Sequence, residues 1–226
     1  MLNTSNVKTR ITLAITGASG SCYALKLIKE LLRHDIVLYL LISDAAKEVF
    51  RLEADMHLPE DKNEIIDYFL NLAQLKDKNL ESVQAEQLDN AQQQKLFYFG
   101  KTEWLSPVAS GSNGADAMVI CPASMGSLSA IAHGASNNLI ERAADVMLKE
   151  KKRLIIVPRE MPLSTIHLEN MLKLSKMGVS ILPACPGFYH QPETLDDIVN
   201  FVIARILDQL QLKHNLLDRW ADNQNS

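Results

Sequence analysis

Two short segments carry the residue types that chemistry uses. Residues 17–20 read GASG between an apolar run, ITLAI (11–15), and a helical pattern; residues 158–162 read PREMP, which sets Arg159 beside Glu160 directly after a second apolar run, RLIIVP (153–158). A strand that breaks at Gly-Ala-Ser-Gly and turns into a helix presents backbone N–H groups and a serine hydroxyl at a helix N-terminus. The macrodipole there favours an anion, so a phosphate is the expected guest. Charge at the end of a buried strand is costly unless it is paired or used, so Arg159 and Glu160 either pair with neighbours or face that guest. The glycine pattern is not G-x-G-x-x-G, which disfavours a dinucleotide against a single phosphate with a ring system beyond it.

Other candidates stand elsewhere in the chain. CPASMG (121–126) and SDAA (43–46) are small and polar, and the loop PACPGFYHQP (183–192) carries Phe188 and Tyr189, aromatics that either pack inward or cap a pocket. In NNLIERAADVMLKEKK most charged residues read as a solvated face, while Arg142, one residue before the apolar Ala143, is placed to reach either way. His167 and His190 read as structural histidines, and Trp104 and Trp220 lie outside the strands, where a tryptophan usually serves an interface. Cys22, Cys121 and Cys185 are odd in number with no C-x-x-C, and the six histidines form no H-E-x-x-H. Neither a disulfide framework nor a metal site is expected, and the cysteines read as buried small apolar residues.

The elements that must position these residues follow from periodicity. Apolar runs at 11–15, 35–43, 116–121, 153–158 and 179–184, with a further strand expected at KLFYFG, alternate with helical patterns starting near Tyr23, Ala45, Ser124, Asn138, Ser164 and Thr194. This is the pattern of an α/β, Rossmann-like (flavodoxin-like) parallel sheet with helices on both faces. In the short helix after the second strand, Ala45, Val49 and Leu52 are expected to face inward. At 226 residues and 47% hydrophobic content, a single domain over 1–226 is expected. Its core would be 10–212, with a surface excursion of helix and loop at 60–95 that carries an amphipathic patch at Ile65, Ile66, Phe69 and Leu70, and a tail at 213–226. The polar segments all follow strands, so they converge at the carboxyl ends of the sheet, where open α/β folds bind ligands.

A net charge of −4 without a long basic run argues against nucleic acid or a polybasic membrane patch as partner. The longest apolar run, Ile36 to Ile42, is far short of the ~20 residues that span a bilayer. The first ten residues lack a signal-peptide core, so a cytoplasmic location is expected.

In the order ITLAITGASG, SDAA, CPASMGSLSAIAHGASNNLIERAADVMLKEKK, RLIIVPREMPLSTIH and PACPGFYHQP through to LLDRW, the chain resembles the UbiX-type flavin prenyltransferases over nearly its whole length. The resemblance implies a metal-independent enzyme that joins the dimethylallyl group of dimethylallyl monophosphate to N5 and C6 of reduced FMN. The product, prenylated FMN, would serve a UbiD-type decarboxylase, with ubiquinone biosynthesis as the expected pathway. It also implies a homododecamer. The sequence holds no D-D-x-x-D diphosphate motif.

The family's roles carry over onto matching positions. Gly17, Ala18 and Ser19 would cradle the FMN phosphate or the flavin edge, and Ser43, Ser110, Ser124, Met125, Gly126 and Arg142 would complete the flavin site. Lys149, Arg159 and Glu160 would meet the substrate phosphate, with Tyr189 and Arg205 contributed across a subunit interface. Cations there neutralise the phosphate dianion as the allylic C–O bond breaks. Glu160 would protonate the leaving phosphate, Glu53 with Ser19 would relay the flavin proton, Trp104 would stabilise the allyl cation, and Trp220 would close over the site. The family often has P-C-S where this chain has Pro122-Ala123-Ser124, which makes a cysteine-dependent step unexpected. Two other readings are a flavin-dependent cysteine decarboxylase, which carries a P-A-M-N type segment in place of PREMP, and an FMN-binding protein without turnover.

Overall fold

The computed structural model describes residues 8–74 and 95–217. In chain order the elements are β1 (Thr9–Ile15), α1 (Ser21–Leu32), β2 (Ile36–Ile42), α2 (Asp44–Ala54), α3 (Lys62–Gln74) and β3 (Leu96–Phe99). A single 3-10 turn at Pro107–Ala109 leads to β4 (Ala117–Ala123), α4 (Met125–Ala132), α5 (Leu139–Lys149), β5 (Arg153–Pro158), α6 (Thr165–Lys176), β6 (Ser180–Ile181) and α7 (Leu195–Leu210).

The six strands form one sheet in the order β3-β2-β1-β4-β5-β6, and every pairing is parallel. Because the chain winds outward from β1 to one edge and from β4 to the other, the crevice of this doubly wound sheet opens between the carboxyl ends of β1 and β4. Period-two alternation sends Leu13 and Ile15 to one face, packed with Leu27 and Ile28 of α1, Phe69 of α3 and Ile203 of α7. Ala14, Met118 and Ile156 go to the other, against Leu128 of α4, Met147 of α5 and Leu174 of α6. With both faces covered, the strands are the near-continuous apolar runs that parallel sheets require. Among the described residues no helix is long and apolar enough to cross a membrane.

Within the acidic 60–95 segment, α3 buries Ile65, Phe69 and Leu70 of the expected amphipathic patch, and the expected strand KLFYFG forms β3, with Leu96 paired into the sheet. Residues 75–94 of that segment lie outside the described residues. Three expectations are corrected. In α2 the inward face is Ala46 and Phe50, one residue off the expected Ala45, Val49 and Leu52, and Leu52 is 71% exposed. The last strand is only Ser180–Ile181, because Pro183 brings no N–H to the ladder; the extended course continues through Leu182 N to Ile156 O (2.9 Å) and Ala184 N to Pro158 O (3.1 Å). Of the cysteines only Cys121 is buried, with burial pushing its thiol pKa far up, whereas Cys22 and Cys185 are exposed.

Candidate active site

The loops around the crevice are bound to one another, not only to their own strands. Thr16, the residue after β1, donates its hydroxyl to Pro122 O (3.1 Å), and its Oγ1 accepts from Ser124 N (2.8 Å). Arg159, after β5, donates Nε to Ser19 O (3.2 Å), and its own amide reaches Ala123 O at 3.3 Å. The turns after β1, β4 and β5 are therefore one laced unit. Gly17 sits so close to the start of α2 that a Cβ there would lie 2.5 Å from the Ala45 Cβ, which only glycine avoids.

Three helix N-termini meet at this end of the sheet: those of α1, α2 and α4. At α1 the expected anion is supplied by the protein. Glu53 Oε2 accepts from Gly20 N (3.0 Å) and Ser21 N (2.8 Å). Burial raises the Glu53 pKa, but the hydrogen bonds from Ser19, Ser21 and Gly20 outweigh it and hold the carboxyl below its ordinary range. The one-residue shift of the α2 face explains this placement, since Glu53 follows Ala46 and Phe50 at helical spacing and so points at α1. At α2, Ser43 Oγ caps the helix by accepting from Ala46 N (3.1 Å), and Asp44 in the first turn pairs with Lys101.

At α4 the helix start has no acidic residue in its first turn, Ser124 Oγ accepts from Ser127 N (3.3 Å), and nothing lies within 4 Å of a Cβ built on Gly126. An open helix start with cap hydroxyls and uncompensated dipole fits a phosphate monoester with a ring beyond it. Met125 is buried, so it offers this site its backbone, not its side chain. Ala18 likewise is buried, with its amide already donated to Thr16 O.

Arg142 settles toward the 3-10 turn: Nε donates to Ala109 O (3.2 Å) and Nη1 pairs with Asp145 (3.0 Å), which fixes the stretch carrying Ser110 against α5. Trp104 is 45% exposed, and its neighbour Glu103 is held by Lys62 of α3 (2.7 Å), so α3 orients the tryptophan loop. The two histidines differ. His167 completes the capping box of α6 with Ser164, whereas His190 stacks on Phe201 (5.4 Å, 15°) with both ring nitrogens buried and unpartnered among the described residues.

The charged set assigned to the second substrate is not assembled within one chain. Arg159 and Glu160 follow the carboxyl end of β5, while Lys149 precedes its other end. Lys149 lies by Gly111 and pairs with Glu150, and Lys152 Nζ bonds Ala115 O (2.9 Å), where β4 and β5 begin. At ~3.3 Å per residue the two ends of β5 are roughly 17 Å apart. Tyr189 and Arg205 line a third place, a depression of about 580 Å³ with Phe201, Asp208 and His214. A larger groove of about 710 Å³ between α1, α3 and α7 holds none of the assigned residues. Trp220 lies outside the described residues. The contacts that residue reasoning missed are Thr16 and the helix-capping use of Glu53.

The chain as a whole has close relatives among known proteins. The Flavoprotein family model matches residues 1–207. The flavin prenyltransferase UbiX of Pseudomonas aeruginosa is 49% identical over 213 residues, 94% of each chain. The chain belongs to the UbiX flavin prenyltransferase family. It is thus an enzyme, a transferase of prenyl groups. A crystal structure of AnUbiX in complex with FMN and dimethylallyl pyrophosphate has a TM-score of 0.76 at 34% identity, covering 94% of this chain and 97% of that one. A dodecameric FMN-dependent UbiX-like decarboxylase from Escherichia coli O157:H7 has a TM-score of 0.74 at 37% identity, covering 94% and 98%. The UbiX family resemblance therefore extends from motif order to backbone over nearly the full chain.

Proposed function

We propose that this protein joins the dimethylallyl group of dimethylallyl monophosphate to N5 and C6 of reduced FMN, releasing phosphate and prenylated FMN for a UbiD-type decarboxylase. The observation that carries the reading is the laced crevice: Arg159 bonds the loop bearing Ser19, and Ser19 in turn bonds the ionised Glu53. An acid–base pair and a phosphate-binding cation thus share one rigid end of the sheet.

Reduced FMN supplies the nucleophilic ring atoms. The remaining work falls to side chains of this chain. Ser43, Ser124, the backbone of Gly17, Ala18, Met125 and Gly126, and Ser110 with Arg142 hold the flavin, with its phosphate on the open α4 start instead of the occupied α1 start. Arg159 and Lys149 neutralise the departing phosphate, Arg as a fork and Lys as a point charge. Glu160 delivers a proton to the leaving oxygen, and the exposed Trp104 ring faces the allyl cation without offering a nucleophile that would capture it. Glu53, held ionised, takes up the ring proton through Ser19. Trp220 closes the pocket.

Because Lys149 lies at the far end of β5 from Glu160, we assign it, like Tyr189 and Arg205, to the site of a neighbouring subunit in a homododecamer of single-domain chains. The dodecameric UbiX-like neighbour supports this arrangement. We place the protein in the cytoplasm, with ubiquinone biosynthesis as its pathway and no metal in the reaction.

Anaerobic incubation with reduced FMN and dimethylallyl monophosphate, followed by mass spectrometry of the released flavin, tests the reading. A gain of one C5H8 unit with liberated phosphate is expected. Unmodified FMN that stays bound would overturn it.

A further inference from the structure

Helix α7 ends at Leu210 with Gln211 in the left-handed region (φ 60°), and the chain turns back so that Leu212 N donates to Leu207 O (3.0 Å). Leu212 and Leu216 pack on the core beside the helix. His214, between them, is thereby laid against Asp208. Its Nε2 lies 3.1 Å from Asp208 Oδ1, while Asp208 Oδ2 accepts from Arg205 Nη1 at 2.7 Å. Nδ1 accepts from Leu216 N (3.4 Å), which assigns the ring proton to Nε2 and makes His214 the donor to Asp208. The His214 side chain is 12% exposed against 54% for Arg205, so the hold is sheltered while the guanidinium opens to the depression shared with Tyr189.

We propose that His214 is a positioning residue for the allylic substrate: by holding one oxygen of Asp208, it prevents a bidentate Asp208–Arg205 pair and keeps the remaining Arg205 N–H groups available to the substrate phosphate. A carboxylate and a guanidinium left to themselves favour the two-bond fork, which satisfies the same donors that a phosphate needs. Here His214 turns Oδ1 toward itself and so sets the angle of the carboxylate, Asp208 reaches Arg205 through Nη1 alone, and Arg205 makes no other hydrogen bond among the described residues. Asp208 aims the guanidinium without consuming it. The inference rests on the assignment of Arg205 to the substrate phosphate made under Proposed function.

The test is steady-state kinetics of His214→Ala, His214→Gln, Asp208→Asn and the double variant His214→Ala/Asp208→Asn, paired with calorimetric titration of dimethylallyl monophosphate into each protein without flavin. Loss of one charge-assisted phosphate contact corresponds to about tenfold in affinity. His214→Ala is therefore expected to raise KM for dimethylallyl monophosphate, and its calorimetric Kd, about tenfold, with kcat and the KM for FMN within about twofold. Glutamine, which can present an N–H at similar reach, restores most of the loss. In the Asp208→Asn background the alanine change has no carboxylate to release, and its effect falls below about twofold. An unchanged KM and Kd, equal losses of kcat and FMN affinity, or an effect that persists undiminished without Asp208 would each overturn the role. If the wild-type chain yields no prenylated flavin, the functional reading fails on its own, while the titrations still decide whether His214 controls phosphate binding through Asp208.

Discussion

The crevice between β1 and β4 and the outlying charged positions are built on opposite principles. In the crevice polar groups are tied to groups from another loop: Thr16 to Pro122 and Ser124, Arg159 to Ser19, Glu53 to Gly20 and Ser21. Outside it, the cations pair with close neighbours in sequence, Lys149 with Glu150 and Arg205 with Asp208. Such exposed local pairs contribute ~0–1 kcal/mol and give way readily to a better anion. Under the proposed function, the laced crevice corresponds to the flavin half of the site and the outlying cations to the allyl-phosphate half.

The sharpest way to break that contrast is Glu160→Ala. The residue is exposed at the rim, and its carboxyl accepts only from the amide of its sequence neighbour Met161 (3.1 Å), so FMN affinity is expected to be unchanged. Prenylation should fall by a factor on the order of 10² to 10⁴, the usual worth of a positioned general acid. Single-turnover mass spectrometry beside fluorescence titration of FMN separates the two, and undiminished turnover would remove Glu160 from its role.

Lys149→Ala should cost comparable activity, and together the two variants sharpen the comparison. If Lys149 acts on a neighbour's site, co-expressing Lys149→Ala with Glu160→Ala chains rebuilds intact sites in mixed assemblies, up to about one quarter of wild-type activity for random pairing. Recovery no greater than the sum of the separate variants would place Lys149 and Glu160 in the same chain's site.

The sheet was legible because buried parallel strands are written as apolar runs bounded by glycine, proline and hydroxyl residues, as RLIIVP and ITLAI are. Helix α3 was legible despite its polar composition, because Ile65, Ile66, Phe69 and Leu70 recur at helical spacing and three of them are fully buried. The position of Arg159 and Glu160 at the carboxyl end of β5 could be read from the sequence, because the apolar run RLIIVP ends directly before them. The function of Glu53 as the cap of α1 could not, because it depends on α2 being rotated by one residue, and an offset of 100° is within the ambiguity of Ala45, Ala46, Val49 and Phe50 as apolar positions. The separation of Lys149 from Arg159 follows from the strand between them, since residues 153–158 carry the chain from one end of the sheet to the other.

Thr16→Val probes the lacing directly. The isosteric change leaves Ser124 N without its acceptor in a buried setting, a cost of about 1–3 kcal/mol, since an abandoned donor loses its full hydration. Urea denaturation should show a lower midpoint with an unchanged slope, and FMN affinity should weaken because the α4 start is no longer fixed. A full loss of stability without any change in flavin binding would mean that the lacing serves the fold alone.

The smallest effect is the most specific to the carboxylate that occupies α1. Glu53 has its folded-state pKa held below the ordinary carboxylate value, so over the range between the two the unfolded chain binds more protons and stability rises with pH. The contribution is fully present above the unfolded-state pKa, near 4.5, and is lost as pH falls through the lower folded-state value. Glu53→Gln keeps the shape and one acceptor oxygen but removes the titration. Wild type and variant should therefore differ by a constant amount at pH 6 to 8 and converge in acid, as measured by denaturant midpoints across that range. If the difference between them does not shrink as pH falls, the amides of Gly20 and Ser21 are insensitive to the charge of their partner. In that case the α1 terminus is as available to a flavin phosphate as the α4 terminus, and the two helix starts no longer divide the labour between proton relay and phosphate binding.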